Sequence, residues 1–196
     1  MTALAAATGA RASETELSGA EGHPRGHLPL RVWAQPLNDP GLDDAVRRAI
    51  EDWNRVSMDA LGVGIFTPVA ERADAQVTVE IGRDEDGKLM GQTELRTGER
   101  GVIDLPVRIV IVEPKARGQT SRETLLYQVV AHELGHALGL PHVRDPRSLM
   151  CCVHGSVDFN DPVARDAYIE ARRHPDVGSA RAELREHYMR FWPGRR

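Results

Sequence analysis

The chain of 196 residues lacks the features that define several specialised classes of protein. It has two cysteines, Cys151 and Cys152, and because they are adjacent they cannot join distant segments, which excludes a fold built on disulfides. No run approaches the ~18–20 apolar residues of a membrane span, so we expect no membrane partner. The 25 Lys and Arg residues are outnumbered by 29 Asp and Glu, and the net charge of -4 gives no reason to expect a nucleic acid partner.

The composition nevertheless supports a folded core, because 41% of the residues are hydrophobic. Residues 1–27 are small, polar and aperiodic, and they predict a flexible N-terminal segment ahead of one domain over residues 28–196. This segment shows no signal peptide. The default expectation is a cytoplasmic protein, unless an export signal is missing from this version of the sequence.

Hydrophobic spacing predicts an α+β domain. Apolar residues recur at three- and four-residue intervals from Leu42 to Leu61, which predicts a helix ended by Gly62. Alternating or β-branched residues predict strands near 30–34, 64–70, 75–82, 89–95 and 107–112, the last buried on both faces. We therefore expect a mixed sheet of four to five strands packed on two long helices.

The second long helix is predicted over about 121–138, with Thr120 and Glu123 at the spacing of a capping box. Two C-terminal helices are predicted within about 162–192. Asp161 is placed to cap the first of them, and Ser179 is placed to cap the second.

Residues 132–142 carry the strongest chemical signal. His132 and His136 are four residues apart, so on a helix both imidazoles lie on one face and can reach one metal ion. Gly139 tolerates left-handed backbone angles, and a turn there can bring His142 round as a third ligand. Three neutral nitrogens leave one tetrahedral position for water or substrate, as expected of a catalytic zinc.

Glu133 follows the first of these histidines. It is placed to accept a proton from water activated by the zinc ion and to deliver it to the leaving amine, acting first as general base and then as general acid. Glu133 is therefore the predicted catalytic residue.

This segment resembles the zinc signature of the metzincins, HExxHxxGxxH, and Met150 resembles the methionine of their Met-turn, here about residues 148–151. The sequence HALGL after Glu133 and the short interval to Leu149-Met150 are most similar to the matrixins, minimal and bacterial ones in particular. The resemblance implies a metzincin-like zincin fold and hydrolysis of peptide bonds. It also implies an extended protein or peptide substrate beside an edge strand at 89–95, a pocket wall at 151–155, and export from the cell.

Some family features are absent. No histidine lies between His27 and His132 to hold the second, structural zinc of vertebrate matrixins, and no cysteine precedes Cys151 to form a propeptide switch. Calcium sites in this clan use acidic loops, but the turn at residues 84–86 (Asp84, Glu85 and Asp86) is more typical of a solvated turn.

Several alternatives stay open. Met150 could be an ordinary core residue, and the adjacent cysteines could be buried thiols, a vicinal disulfide, or ligands of a second metal with His154. The domain as a whole could be a zinc-dependent binding module without turnover, or a zinc hydrolase of a small amide. The oligomeric state is not predicted.

Overall fold

A computed structural model of the chain describes residues 12–13, 17–82, 90–116, 120–153 and 155–192. The predicted acidic turn at 84–86 and His154 lie outside these residues. The described part contains ten α-helices and β-strands: β1 (Ala12–Ser13), β2 (Leu30–Ala34), α1 (Pro40–Leu61), β3 (Phe66–Pro68), β4 (Val77–Gly82), β5 (Gly91–Leu95), β6 (Val107–Val112), α2 (Arg122–Ala137), α3 (Pro162–Arg173) and α4 (Arg181–Phe191).

The strands form one mixed sheet in the order β1-β5-β6-β4-β2-β3. β3, β2, β4 and β6 run parallel, and α1 supplies the crossover between β2 and β3 that parallel neighbours need. β5 is antiparallel to β6, and the two-residue β1 pairs with the far end of β5 at Leu95 and Glu94. The predicted α+β class is confirmed, with β1 added to the predicted strands.

α1 packs against α2 and fixes the helix that carries the predicted metal ligands. The apolar stripe of α1 is buried as predicted, and Gly62 ends the helix with a left-handed backbone at φ 69°. Within that stripe, the indole Nε1 of Trp53 donates a hydrogen bond of 2.8 Å to the backbone oxygen of Ala131. This bond holds α2 at the residue before His132.

The starts of the later helices correct two predictions. Ser121, and not Thr120, caps α2, because its hydroxyl accepts a hydrogen bond from the Thr124 amide at 3.2 Å. Ser179 does not cap α4. Its hydroxyl accepts from the Leu149 amide at 2.8 Å and so ties the segment before α4 to the predicted Met-turn. Asp161 caps α3 as predicted.

β6 is buried on one face only, contrary to prediction. Val107, Ile109 and Ile111 are fully buried and alternate with more accessible residues. On the other face Arg108 forms ion pairs with Glu80 at 3.1 Å and Glu94 at 3.0 Å, so charged neighbouring strands replace a second apolar layer. No helix in the described residues is long and apolar enough to cross a bilayer.

The structure begins the packed domain earlier than the predicted boundary at residue 28. Gly22 exchanges backbone hydrogen bonds with Gly101 and Ile103, at 3.0 and 2.9 Å. His23 is fully buried, and its Nε2 donates to the backbone oxygen of Ala137 at 2.9 Å. Burial lowers the pKa of His23 to about 4, so its imidazole is neutral at pH 7. Part of the predicted flexible segment therefore lies against the end of α2.

We expect Gly139→Ala to test this packing. Gly139 has φ +88°, and a Cβ atom there would overlap the backbone oxygen of Glu21. Gly62 has φ +69° but no atom within 4 Å of such a Cβ, so Gly62→Ala isolates the backbone effect. Gly62→Ala should lower the free energy of unfolding by about 1–2 kcal/mol, and Gly139→Ala by about 1–3 kcal/mol more. Urea denaturation measures the free energy of unfolding of both variants. Equal losses of stability would show that the segment around Glu21 does not pack closely against Gly139.

Candidate metal centre

The structure brings together the three predicted metal ligands. His132 and His136 project from the last turns of α2, and His142 follows the turn after it. The Nε2 atom of His136 lies 3.0 Å from that of His132 and 3.2 Å from that of His142, and the remaining pair is 3.1 Å apart. No other group of three His, Cys, Asp or Glu side chains within the described ranges is arranged to hold a metal ion.

The hydrogen bonds of the imidazoles fix which nitrogens face one another. The Nδ1 atom of His132 donates to the backbone oxygen of Leu149, and that of His136 donates to the backbone oxygen of Leu140, both at 2.8 Å. Burial lowers the pKa of His132 to about 4, that of His136 well below its usual value, and that of His142 in the same direction. The neutral rings of His132 and His136 therefore direct unprotonated Nε2 atoms at one another.

This donor set fits a zinc ion. Zinc binds histidine nitrogens at about 2.0–2.1 Å, which places the nitrogens of a tetrahedral site about 3.3–3.4 Å apart. The observed separations of 3.0–3.2 Å are close to that spacing. Two unprotonated nitrogens at such distances repel one another unless a cation lies between them, and the carbonyl bonds to Nδ1 are the orienting contacts that metal-binding histidines make.

The chain after α2 is held against the methionine that sequence spacing assigned to the Met-turn. Met150 is fully buried, and its sulfur packs against Gly135, between the two histidines of α2. The Val143 amide donates to the backbone oxygen of Met150 at 3.0 Å, and Val143 forms a parallel bridge with Cys151. These contacts tie the residue after His142 to Met150 and Cys151.

Glu133 is buried beside β5. The hydroxyl of Thr93 donates to the Oε2 atom of Glu133 at 2.7 Å, and it also lies 3.0 Å from the Glu133 backbone oxygen. A Cβ atom on Gly91 would lie 2.9 Å from the Cγ and Oε1 atoms of Glu133, so the strand and the carboxylate can approach this closely only with glycine there. Sequence analysis did not identify Thr93 as a partner of Glu133. The one feature that could have indicated it is a polar residue at a position of β5 that faces the core.

A cavity of about 210 Å³ lies next to these groups. Its walls include His132 and Glu133 from α2, Gly91 from β5, and Cys151. α3 contributes Arg172, which sequence reasoning did not connect with the site. A larger cavity of about 580 Å³ lies at the other end of β5 and β6 and contains no histidine.

The two cysteines are joined to each other as a vicinal disulfide, one of the alternatives left open by the sequence. Cys151 is buried, and its backbone oxygen accepts a hydrogen bond from the Nη2 atom of Arg172 at 2.8 Å. Cys151 therefore lies in the wall of the cavity, and neither cysteine belongs to the cluster of histidine nitrogens.

Comparison with known proteins agrees with this arrangement. The matrixin family model matches residues 30–164, more than half of the chain. The chain belongs to the matrixin family. The match covers strands β2 to β6, both long helices, the three histidines and Met150, and matrixin membership supports a zinc metalloprotease.

This matrixin is also similar, over a shorter stretch, to macrophage metalloelastase of Oryctolagus cuniculus. The two are 42% identical over 48 residues, which is 24% of this chain and 10% of the elastase. The aligned part is thus a small fraction of that relative.

Proposed function

We propose that this matrixin is a zinc endopeptidase in which His132, His136 and His142 hold the metal ion and Glu133 is the acid/base catalyst. The observation that carries the proposal is the convergence of three Nε2 atoms within 3.0–3.2 Å of one another. In two of the rings the Nδ1 atom is already committed to a backbone carbonyl, which leaves Nε2 as the metal-binding atom.

Glu133 supplies the proton transfers of the reaction. A bound zinc ion supplies Lewis acidity, which activates water and polarises the carbonyl of a peptide bond. The Glu133 carboxylate accepts a proton from the attacking water and delivers it to the amine nitrogen as the carbon–nitrogen bond breaks. Water attacks directly, so the chain forms no covalent intermediate with the substrate.

Thr93 and Gly91 position that carboxylate. The hydrogen bond from Thr93 to Oε2 restricts rotation of the Glu133 side chain. Because Gly91 has no side chain, the carboxylate can lie against β5. A catalytic group held in this way loses little freedom when the substrate binds.

An extended substrate would lie along the end of β5 that the described residues of β1 do not pair with. β5 pairs with β6 on one side, and on its outer side the described residues of β1 pair with Leu95 and Glu94. The end of β5 at Gly91 lies beside the cavity and Glu133. An extended polypeptide added as a strand there would present its backbone carbonyl groups to the histidine cluster.

Cleavage of an unfolded protein tests the proposal. The chain carrying one equivalent of zinc should release fragments from a labelled, unfolded protein, a chelator should stop release, and added zinc should restore it. Zinc bound at one equivalent with no cleavage would favour the binding module. Cleavage of a small amide alone would favour the amide hydrolase.

A further inference from the structure

Arg172 places a positive charge in the cavity beside the candidate metal centre, and each of its hydrogen-bond partners among the described residues is uncharged. Its Nη2 atom donates to the backbone oxygen of Cys151 at 2.8 Å. The Gln128 carboxamide faces the same guanidinium, and with its oxygen on that side it accepts from Nε at 3.3 Å and from Nη1 at 3.1 Å. The ring of Tyr168 lies 4.9 Å from the guanidinium carbon. Within the described residues Arg172 forms no ion pair.

These contacts orient the guanidinium but leave part of its hydrogen-bonding capacity unused. A guanidinium has five N–H groups, one on Nε and two on each terminal nitrogen. The bonds to Gln128 and Cys151 use three of them, so each terminal nitrogen retains one donor that no other described residue accepts. Two such donors on adjacent nitrogens match the two oxygens of a carboxylate, the pairing that guanidinium groups form best.

The cavity also has the size and place of a pocket for one substrate residue. Its volume of about 210 Å³ is below the roughly 300–1,000 Å³ of sites that enclose whole small ligands. His132 and Glu133 line the same cavity, so a group bound there adjoins the bond that the proposed reaction breaks.

An apolar occupant fits the cavity less well. Val129, Met90 and Tyr168 give it partly apolar walls. An apolar side chain would cover the two remaining N–H groups of Arg172 without accepting their hydrogen bonds, which disfavours its binding.

We propose that Arg172 makes this cavity a binding subsite for a carboxylate carried by a substrate residue next to the scissile bond. The proposal rests on the endopeptidase function and names the substrate class of the same site. The carboxylate comes either from an aspartate or glutamate side chain or from the C-terminus of a short peptide. Arg172 is then a specificity-determining residue, because it contacts the substrate away from the reacting atoms.

The test maps cleavage sites and then measures selectivity. The zinc-loaded full chain digests a peptide library prepared from a proteome, and mass spectrometry identifies the residues around each cleaved bond. Peptides built on the strongest site, with Glu, Gln or Lys at the selected position, then give ratios of kcat/KM. A second pair of peptides ends at the selected position, one with a free C-terminal carboxylate and one with a C-terminal amide. Comparing them tests whether the bound carboxylate is that of the C-terminus.

We expect acidic residues to be enriched at one fixed position and Glu to be preferred over Gln by about 10- to 100-fold. Arg172→Gln should reduce that ratio at least tenfold, and Arg172→Glu should shift the preference to Lys. Arg173→Gln, which alters an exposed arginine on the same helix, should leave the ratio unchanged. Arg172→Lys keeps the charge without the two-pronged geometry and should give an intermediate ratio, and thermal unfolding verifies that each variant folds.

The outcomes separate this proposal from the function on which it rests. Cleavage without acidic enrichment, or a Glu/Gln ratio that Arg172→Gln does not change, would overturn the carboxylate subsite and leave the endopeptidase intact. Absence of all cleavage by the zinc-loaded chain would overturn both. A preference for the free acid over the amide, with no preference for internal Glu, would assign the subsite to the C-terminal carboxylate.

Discussion

Glu133→Gln should reduce kcat/KM for peptide cleavage by about 10²–10⁴-fold, the usual contribution of a positioned acid/base group. Glutamine has nearly the same shape, and its carboxamide oxygen can still accept the hydrogen bond that Thr93 gives to Oε2. It cannot take up the proton of the attacking water. Initial rates with a quenched fluorescent peptide, measured at one equivalent of bound zinc, would quantify the loss.

The matched control is Glu123→Gln, which alters a carboxylate at the start of the same helix. The activity of this variant should stay within a factor of about two, because replacing a partly exposed surface residue has little effect on a remote site. Zinc content should be equal in the wild type and both variants. Activity of Glu133→Gln comparable to that of the wild type would remove Glu133 from the mechanism.

Zinc should stabilise the folded chain strongly. The nitrogens of the three histidines converge only when α2 and the turn at Gly139 have formed, so we expect zinc to bind the native state in preference to the unfolded chain. At a free zinc concentration 1,000-fold above Kd, the gain is about 4.1 kcal/mol, which for a chain of this size raises Tm by about 8–16 °C. Differential scanning calorimetry with zinc and with a chelator measures the shift.

His142→Ala provides the control for this shift. His142 lies on the loop after α2 and is only partly buried, so its replacement should disturb the core less than a change at His136, which is fully buried. With two ligands left, the same zinc concentration should raise Tm by only a small part of the wild-type shift. A shift as large as that of the wild type would mean that zinc stabilises the chain elsewhere.

Local signals predicted most of the fold. The three- and four-residue spacing of apolar residues located α1, and Gly62 marked its end, because both depend on neighbours along the chain. The convergence of the three candidate metal ligands was predictable for the same reason. Two histidines one helical turn apart and a glycine at the turn define most of the geometry before any tertiary contact forms.

The features that sequence reasoning missed depend on contacts between distant segments. The residues around His23 have no periodicity of their own, and they are ordered by hydrogen bonds to Gly101, Ile103 and Ala137. Thr93 approaches Glu133 from a strand forty residues away. Arg172 reaches the cavity because α3 packs against α2. The amphipathic pattern of α3 predicts a helix but does not predict which element that helix packs against.

X-ray absorption at the zinc edge tests the central claim most directly, because it counts the ligands of the bound ion. The account predicts three histidine nitrogens at about 2.0–2.1 Å and one light atom from water, with no sulfur. The same spectrum from His142→Ala should lose one histidine. A sulfur at about 2.3 Å, supplied by Cys151 or Cys152, or a fourth protein ligand in place of water, would contradict a catalytic zinc at His132, His136 and His142.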